Sequence, residues 1–154
     1  MFTYRGSPGF GFLAQDAPQW RSMNYWLYYY FNRHVGRWVL AIDGTAPYCE
    51  GTAGGRMYRG PLTPVVATLS ADAQQLYLVL ANGSWQATVR ARVALRGFVP
   101  RRGTGVVLSH SDPDGDPFVA VREDLVRDLL VEIEGHELTT LLPPHAVAFV
   151  AIQR

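Results

Sequence analysis

Lysine is missing from this chain, and all 14 of its basic residues are arginine. We read this as a coding bias rather than a heat adaptation, since the general thermophile signal enriches lysine. Charge of either sign is also scarce in the balance. Thirteen acids oppose the arginines and leave a formal net charge of +1, which gives no electrostatic case for nucleic acid or an anionic membrane as partner. Cysteine is reduced to Cys49 alone, so no intrachain disulfide can form and the cysteine count identifies no compartment. A run of about 18 uncharged apolar residues is lacking too, which removes a spanning helix from consideration. The first residues carry neither the charged leader nor the apolar core of a secretory signal, so a cytoplasmic location is expected rather than a secreted one.

What is present is a composition of folded protein, 48% hydrophobic and 18% charged over 154 residues. That length suits one domain with room for an appendage and buries a sizeable core without metals or disulfides. The most informative stretch is SMNYWLYYYFNRHVG, residues 22–36, in which Tyr25 to Phe31 is an unbroken apolar and aromatic run. Ser22 stands where a helix N-cap belongs, Arg33 and His34 fall where a last turn belongs, and Gly36 follows as a C-terminal stop. Such a helix has no polar face, so it has to be covered on every side. The rest of the chain is too small a sheet protein to do that. Residues Tyr25, Trp26, Tyr29 and Tyr30 are therefore expected to meet a missing companion, or each other in self-association.

After Gly36 the period changes. Strand candidates follow at residues 65–69, 76–81, 87–95, 106–109, 129–133, 138–142 and 147–152, with Asn82-Gly83 and Glu134-Gly135 as turn pairs. A shorter apolar run at residues 38–42 ends at Asp43-Gly44, and residues 46–60 read as a glycine-rich connection. Several short strands at this spacing predict a mainly β protein, an antiparallel β-sandwich of jelly-roll or Greek-key type preceded by one N-terminal helix. Ala87, Val89, Ala91, Val93 and Leu95 alternate with Thr88, Arg90, Arg92 and Arg96 on the other face, so that strand should be half exposed. Residues 76–81 and 147–152 are apolar on both faces, as central strands are. The organisation expected is residues 1–36 as loop plus helix and residues 37–154 as the sandwich.

Few constellations carry chemistry. Asp112, Asp114 and Asp116 alternate around a glycine turn, the pattern by which carboxylates converge on a hard cation such as calcium. Glu123 falls at the twelfth position counted from Asp112, yet Pro117, Phe118 and Val119 stand where ligating or flexible residues are needed. This is at most a weak metal candidate, with a plain surface turn as the simpler reading. Glu132 and Glu134 share one strand face but are placed as solvent-side charges rather than as the facing pair that glycoside cleavage requires. Ser109, His110 and Asp112 are too close in sequence to converge as a triad, and no nucleophile elbow is present. GSPGFG at residues 6–11 follows no strand, so it is no phosphate loop, and no cofactor is expected. Trp20, Tyr48 and Trp85 are candidates for stacking on sugar rings, against the simpler reading of core or interface aromatics.

From residue 63 onward the chain resembles a known family. TPVVATLSADAQQLYLVLANGSWQATVRARVALRGF (63–98), VVLSHSDPDGDPF (106–118) and LLPPHAVAFVAI (141–152) are similar in content and order to the C-terminal β-sandwich domain of family 51 α-L-arabinofuranosidases. Leu142-Pro143-Pro144-His145-Ala146-Val147 matches that domain's closing motif, with alanine at 146 in place of the usual serine. NYWLYYYFNRHVG (24–36) is similar to the last helix of the family's catalytic (β/α)8 barrel. The resemblance implies a glycoside hydrolase parent, a missing barrel, and sheets completed in the family by strands from elsewhere in a long chain. It carries over no catalytic residue, because Asn24, Asn32 and Asn82 are followed by Tyr, Arg and Gly rather than by the acid/base glutamate. The expectation is a non-catalytic sandwich domain of such a hydrolase. A carbohydrate-binding module and a self-assembling structural protein stay open as alternatives.

Overall fold

A computed structural model describes residues 12–13, 20–112, 118–119 and 121–154, with Ala53 and Tyr58 described by backbone only. In chain order the elements are β1 (Arg21–Ser22), α1 (Met23–Phe31), β2 (Trp38–Val39), β3 (Tyr48–Ala53), β4 (Arg56–Pro61), β5 (Val65–Leu69), β6 (Gln75–Asn82) and β7 (Val89–Ala94). They continue as β8 (Arg102–Leu108), β9 (Phe118–Val119), a 3-10 turn at Arg122–Asp124, β10 (Val126–Leu129), β11 (Glu132–Glu134), β12 (Glu137–Leu142) and β13 (Ala146–Gln153).

The strands build an open antiparallel sandwich. One sheet has six strands in the order β10-β8-β13-β6-β5-β2, and the facing one has three, β11-β12-β7. The strands that are apolar on both faces, β6 and β13, are the central pair of the large sheet, as their composition predicts. Period two decides what each face meets. Leu76, Leu78, Leu80, Ala148, Val150 and Ile152 point toward the small sheet and join Leu138 and Leu142 in one buried cluster. Val79, Val147 and Phe149, on the intervening positions, point the other way and pack with Leu108, Leu125 and Val126 beneath the helix residue Tyr30. The molecule is thus three layers, small sheet, large sheet and helix.

β7 keeps the predicted alternation, with Val89, Ala91 and Val93 partly buried and Arg90 and Arg92 exposed. Four local expectations are corrected. The strand expected at residues 129–133 is two strands, β10 in the large sheet and β11 in the small, because the chain changes layers at Leu130. Gly103 on β8 makes room for that crossing, since a Cβ there would stand 2.8 Å from Cγ1 of Val131. Asn82-Gly83 is likewise a passage between sheets, from β6 to β7, and not a hairpin turn. The glycine-rich connection at residues 46–60 instead contains an antiparallel ribbon, β3 paired with β4 from Tyr48↔Pro61 to Ala53↔Arg56.

The fourth concerns the helix. Ser22 is its N-cap, the hydroxyl accepting from the Tyr25 N–H at 3.2 Å, as expected from sequence. It ends at Phe31 with Asn32 as C-cap, so Arg33 and His34 lie beyond the last turn. Gly36 is needed for a different reason. A Cβ at that position would sit 2.3 Å from the Leu69 carbonyl oxygen, and the Gly36 N–H donates to Oγ1 of the buried Thr68 at 2.8 Å. Only glycine lets the chain leaving the helix run this close against β5.

Candidate functional site

Two places bring together residues that the sequence singles out, the outer face of α1 and the loop end of the sandwich near Asn82.

On α1 only Tyr30 is fully buried, its ring 5.9 Å from that of Phe149. Its hydroxyl accepts from Nη2 and Nε of Arg122 at 2.6 and 3.1 Å, which ties the helix to the 3-10 turn before β10. The carbonyl of Tyr30 accepts from Nδ1 of His34 at 2.9 Å. That imidazole is packed against Phe149 and Tyr77, and its burial lowers its pKa from the ordinary 6.5, assisted by the neighbouring Arg33 charge and opposed by the bond to Tyr30. Tyr25, Trp26 and Tyr29 are partly buried, while Tyr28 and Phe31 stay 46% and 41% exposed. Along one side runs a ladder of i, i+4 neighbours. Arg21 lies 5.0 Å from the Tyr25 ring, Tyr25 stacks on Tyr29 at 6.2 Å, and Arg33 sits 3.9 Å over Tyr29. Among the described residues Nε1 of Trp26 is a buried donor without a partner, a deficit worth about 1–3 kcal/mol.

At the loop end Asn82, 2% exposed, acts as a clasp. Its Nδ2 faces the carbonyls of Ala87 at 2.8 Å, Leu142 at 3.0 Å and Pro143 at 2.8 Å, and its Oδ1 accepts from Ser84 N–H at 2.9 Å. Ser84 continues the network, its Oγ accepting from Ala87 N–H at 2.9 Å and its carbonyl from His145 N–H at 3.1 Å. The two sequence motifs that carried the resemblance, LANGS and LLPPH, are thereby knitted to each other. Trp85 projects from this clasped loop, 65% exposed, with the His145 ring 4.9 Å away at 64°. The root of the β3–β4 ribbon is attached at the same point. Gly83 N–H donates to Leu62 O at 2.8 Å and Leu62 N–H to Pro47 O at 2.6 Å, which brings Tyr48, 63% exposed, to this end. Trp20 belongs elsewhere, two residues before the helix N-cap and 37% exposed.

The remaining candidates do not converge. Asp114 and Asp116 lie outside the described residues, and Asp112 is exposed. Among the described residues no three His, Cys, Asp or Glu side chains stand close enough to hold a metal. Ser109 is buried, and the ring nitrogen of His110 meets the backbone of Asp112, accepting its N–H at 3.0 Å, instead of the serine. Glu132 and Glu134 point to solvent on β11. No described helix is long and apolar enough to cross a membrane. Sequence reasoning treated Asn82 as a turn former and overlooked the Tyr30–Arg122 pair. Asn82 had a signal, the shared presence of the two motifs, but nothing in one sequence says that they touch.

A β-sandwich of these layers and this size is a domain type found in glycoside hydrolases. The chain shares its fold with part of the GH51 arabinofuranosidase from Xanthomonas axonopodis pv. citri, at TM-score 0.54 and 17% identity over 68% of this chain and 21% of that one. The thermostable GH51 α-L-arabinofuranosidase from Thermotoga petrophila gives TM-score 0.58 and 14% identity, covering 79% and 27%. A family 51 α-L-arabinofuranosidase from Bifidobacterium longum gives 0.58 and 18%, covering 71% and 21%. The chain therefore spans about a fifth to a quarter of the length of these enzymes. No family model and no curated protein matches the sequence.

Proposed function

We propose that this chain is the non-catalytic β-sandwich part of a glycoside hydrolase of arabinofuranosidase type, seated through α1 on a catalytic barrel. The barrel is supplied by a separate polypeptide or by the remainder of a longer one. The observation that carries this reading is the half-covered helix. Its inner side fits the large sheet through Tyr30, while Tyr28 and Phe31 remain partly exposed and the Trp26 indole N–H has no partner among the described residues. Exposed aromatics grouped on one element belong to interaction surfaces more often than to plain solvent-facing ones. The shared fold with domain-sized parts of family 51 enzymes supports the kind of companion. Residues 1–36 then belong functionally with the barrel and residues 37–154 form the sandwich.

The test is a hydrolysis assay on an aryl α-L-arabinofuranoside. The chain alone is expected to release no phenol, and activity from it would overturn the reading. Coexpression with a barrel encoded next to it should yield a complex that Phe31→Glu dissociates. A barrel that ignores the wild-type chain in gel filtration would count equally against the assignment.

A further inference from the structure

We propose that Trp85, set against His145, is a stacking platform for a neutral glycan chain. The indole is exposed to an extent that a structural tryptophan rarely is, since so large an apolar ring is normally mostly buried. Its ring meets that of His145 edge to face and stays mostly exposed. The other well exposed tryptophan, Trp38, has an arginine against its ring, Arg37 at 5.4 Å, whereas no guanidinium stands over Trp85 among the described residues.

What distinguishes Trp85 is the rigidity beneath it. The backbone from Asn82 to Ala87 is pinned by the Asn82 and Ser84 bonds, on one side to the chain before β13 and on the other to the root of the ribbon. His145 is itself held with φ at +45°, a left-handed conformation that a non-glycine residue keeps only where its surroundings enforce it. A ring presented by a fixed backbone loses little freedom on binding, which is the main cost of a weak polar interface. An aromatic face offers dispersion and CH contacts to the apolar face of a sugar ring, and imidazole, amide and hydroxyl groups beside it can bond the rim hydroxyls. His145, and Gln86 next in the chain, supply such groups.

The charge at this end argues for a neutral ligand. On the ribbon, Arg59 and Glu50 are paired with each other at 3.4 Å, and Arg59 also lies 4.9 Å from the Tyr48 ring. The segments that carry Trp85 and His145, residues 82–87 and 142–147, hold no Asp, Glu or Arg that would select a uronate or a phosphate. The choice of pentose glycans as ligand rests on the hydrolase reading above, whereas the platform stands on its own geometry.

Titration of the full chain with xylohexaose and with arabinohexaose, followed by calorimetry, tests the assignment. Binding of at least one is expected, with Trp85→Ala raising Kd by about tenfold or more and Trp85→Phe recovering most of the loss. Trp20→Ala should leave Kd unchanged. Equal affinity of wild type and Trp85→Ala, no heat from either sugar, or tighter binding of oligogalacturonate would each overturn the proposal. None of these results touches the seating of α1, which is read from complex formation with a barrel.

Discussion

The two faces of the large sheet are made from the same strands and end in different states. Toward the small sheet, Leu78, Leu80, Val150 and Ile152 are almost inaccessible and their partners Leu138 and Leu142 are equally so. Toward the helix, Phe149 is just as deeply buried, yet the layer above it ends in Tyr28 and Phe31, which stay 46% and 41% exposed. The inner face is a finished core, and the outer face ends in a helix whose own far side is partly exposed. A sheet can be completed by its own chain because alternation hands each strand two sets of side chains. A helix nine residues long cannot cover itself, and part of its apolar far side stays exposed.

If the inner face is the finished one, truncation there should cost most. Leu78→Ala removes a side chain that is 1% exposed at the centre of β6 and should destabilise by about 2–5 kcal/mol, measurable by urea unfolding. A loss below about 1 kcal/mol would mean that the inner core is looser than its burial implies. A smaller effect is expected under the helix, through His34. Its folded pKa is lowered by burial, so the unfolded chain binds the proton more readily. Stability from this group is fully present above the ordinary value of 6.5 and drains away as pH falls below it toward the folded pKa. Thermal melts between neutral pH and about pH 5 should show this loss, and His34→Gln should flatten it in that window. An unaltered pH profile in the variant would separate His34 from the seating of α1.

Legibility in the sequence follows the same division. The central strands were readable because apolar side chains on both parities leave a strand no place but the middle of a layered fold. Ser22 was readable as an N-cap because its hydroxyl acts within three residues. Gly36 was readable as a special position but for the wrong cause, since its constraint comes from Leu69, far away in sequence. Asn82 and His145 were hidden for that reason as well. Each looks like a turn residue locally, and their partnership spans the distance from β6 to β13. The ribbon of β3 and β4 escaped because its described side chains are exposed on both faces, so no alternation betrays a buried one. Of the candidate sugar contacts, sequence supplied the residue type, and the fold alone separated Trp20 from Tyr48 and Trp85.

The smallest expected effect sharpens the comparison most. Phe31→Ser and Tyr28→Ser alter side chains that are 41% and 46% exposed, so each should cost the isolated chain less than about 1 kcal/mol. If α1 instead folds onto its own molecule more completely in solution, or pairs with a second copy there, the same substitutions should behave as core truncations and cost about 1–3 kcal/mol. Repeating the measurement over a range of protein concentrations divides those cases, since stability drawn from a second copy rises with concentration and stability drawn from one chain does not. A concentration-independent cost at both positions would mean that the outer face closes within the monomer. The contrast between a finished and an unfinished face would then disappear, together with the need for a companion surface.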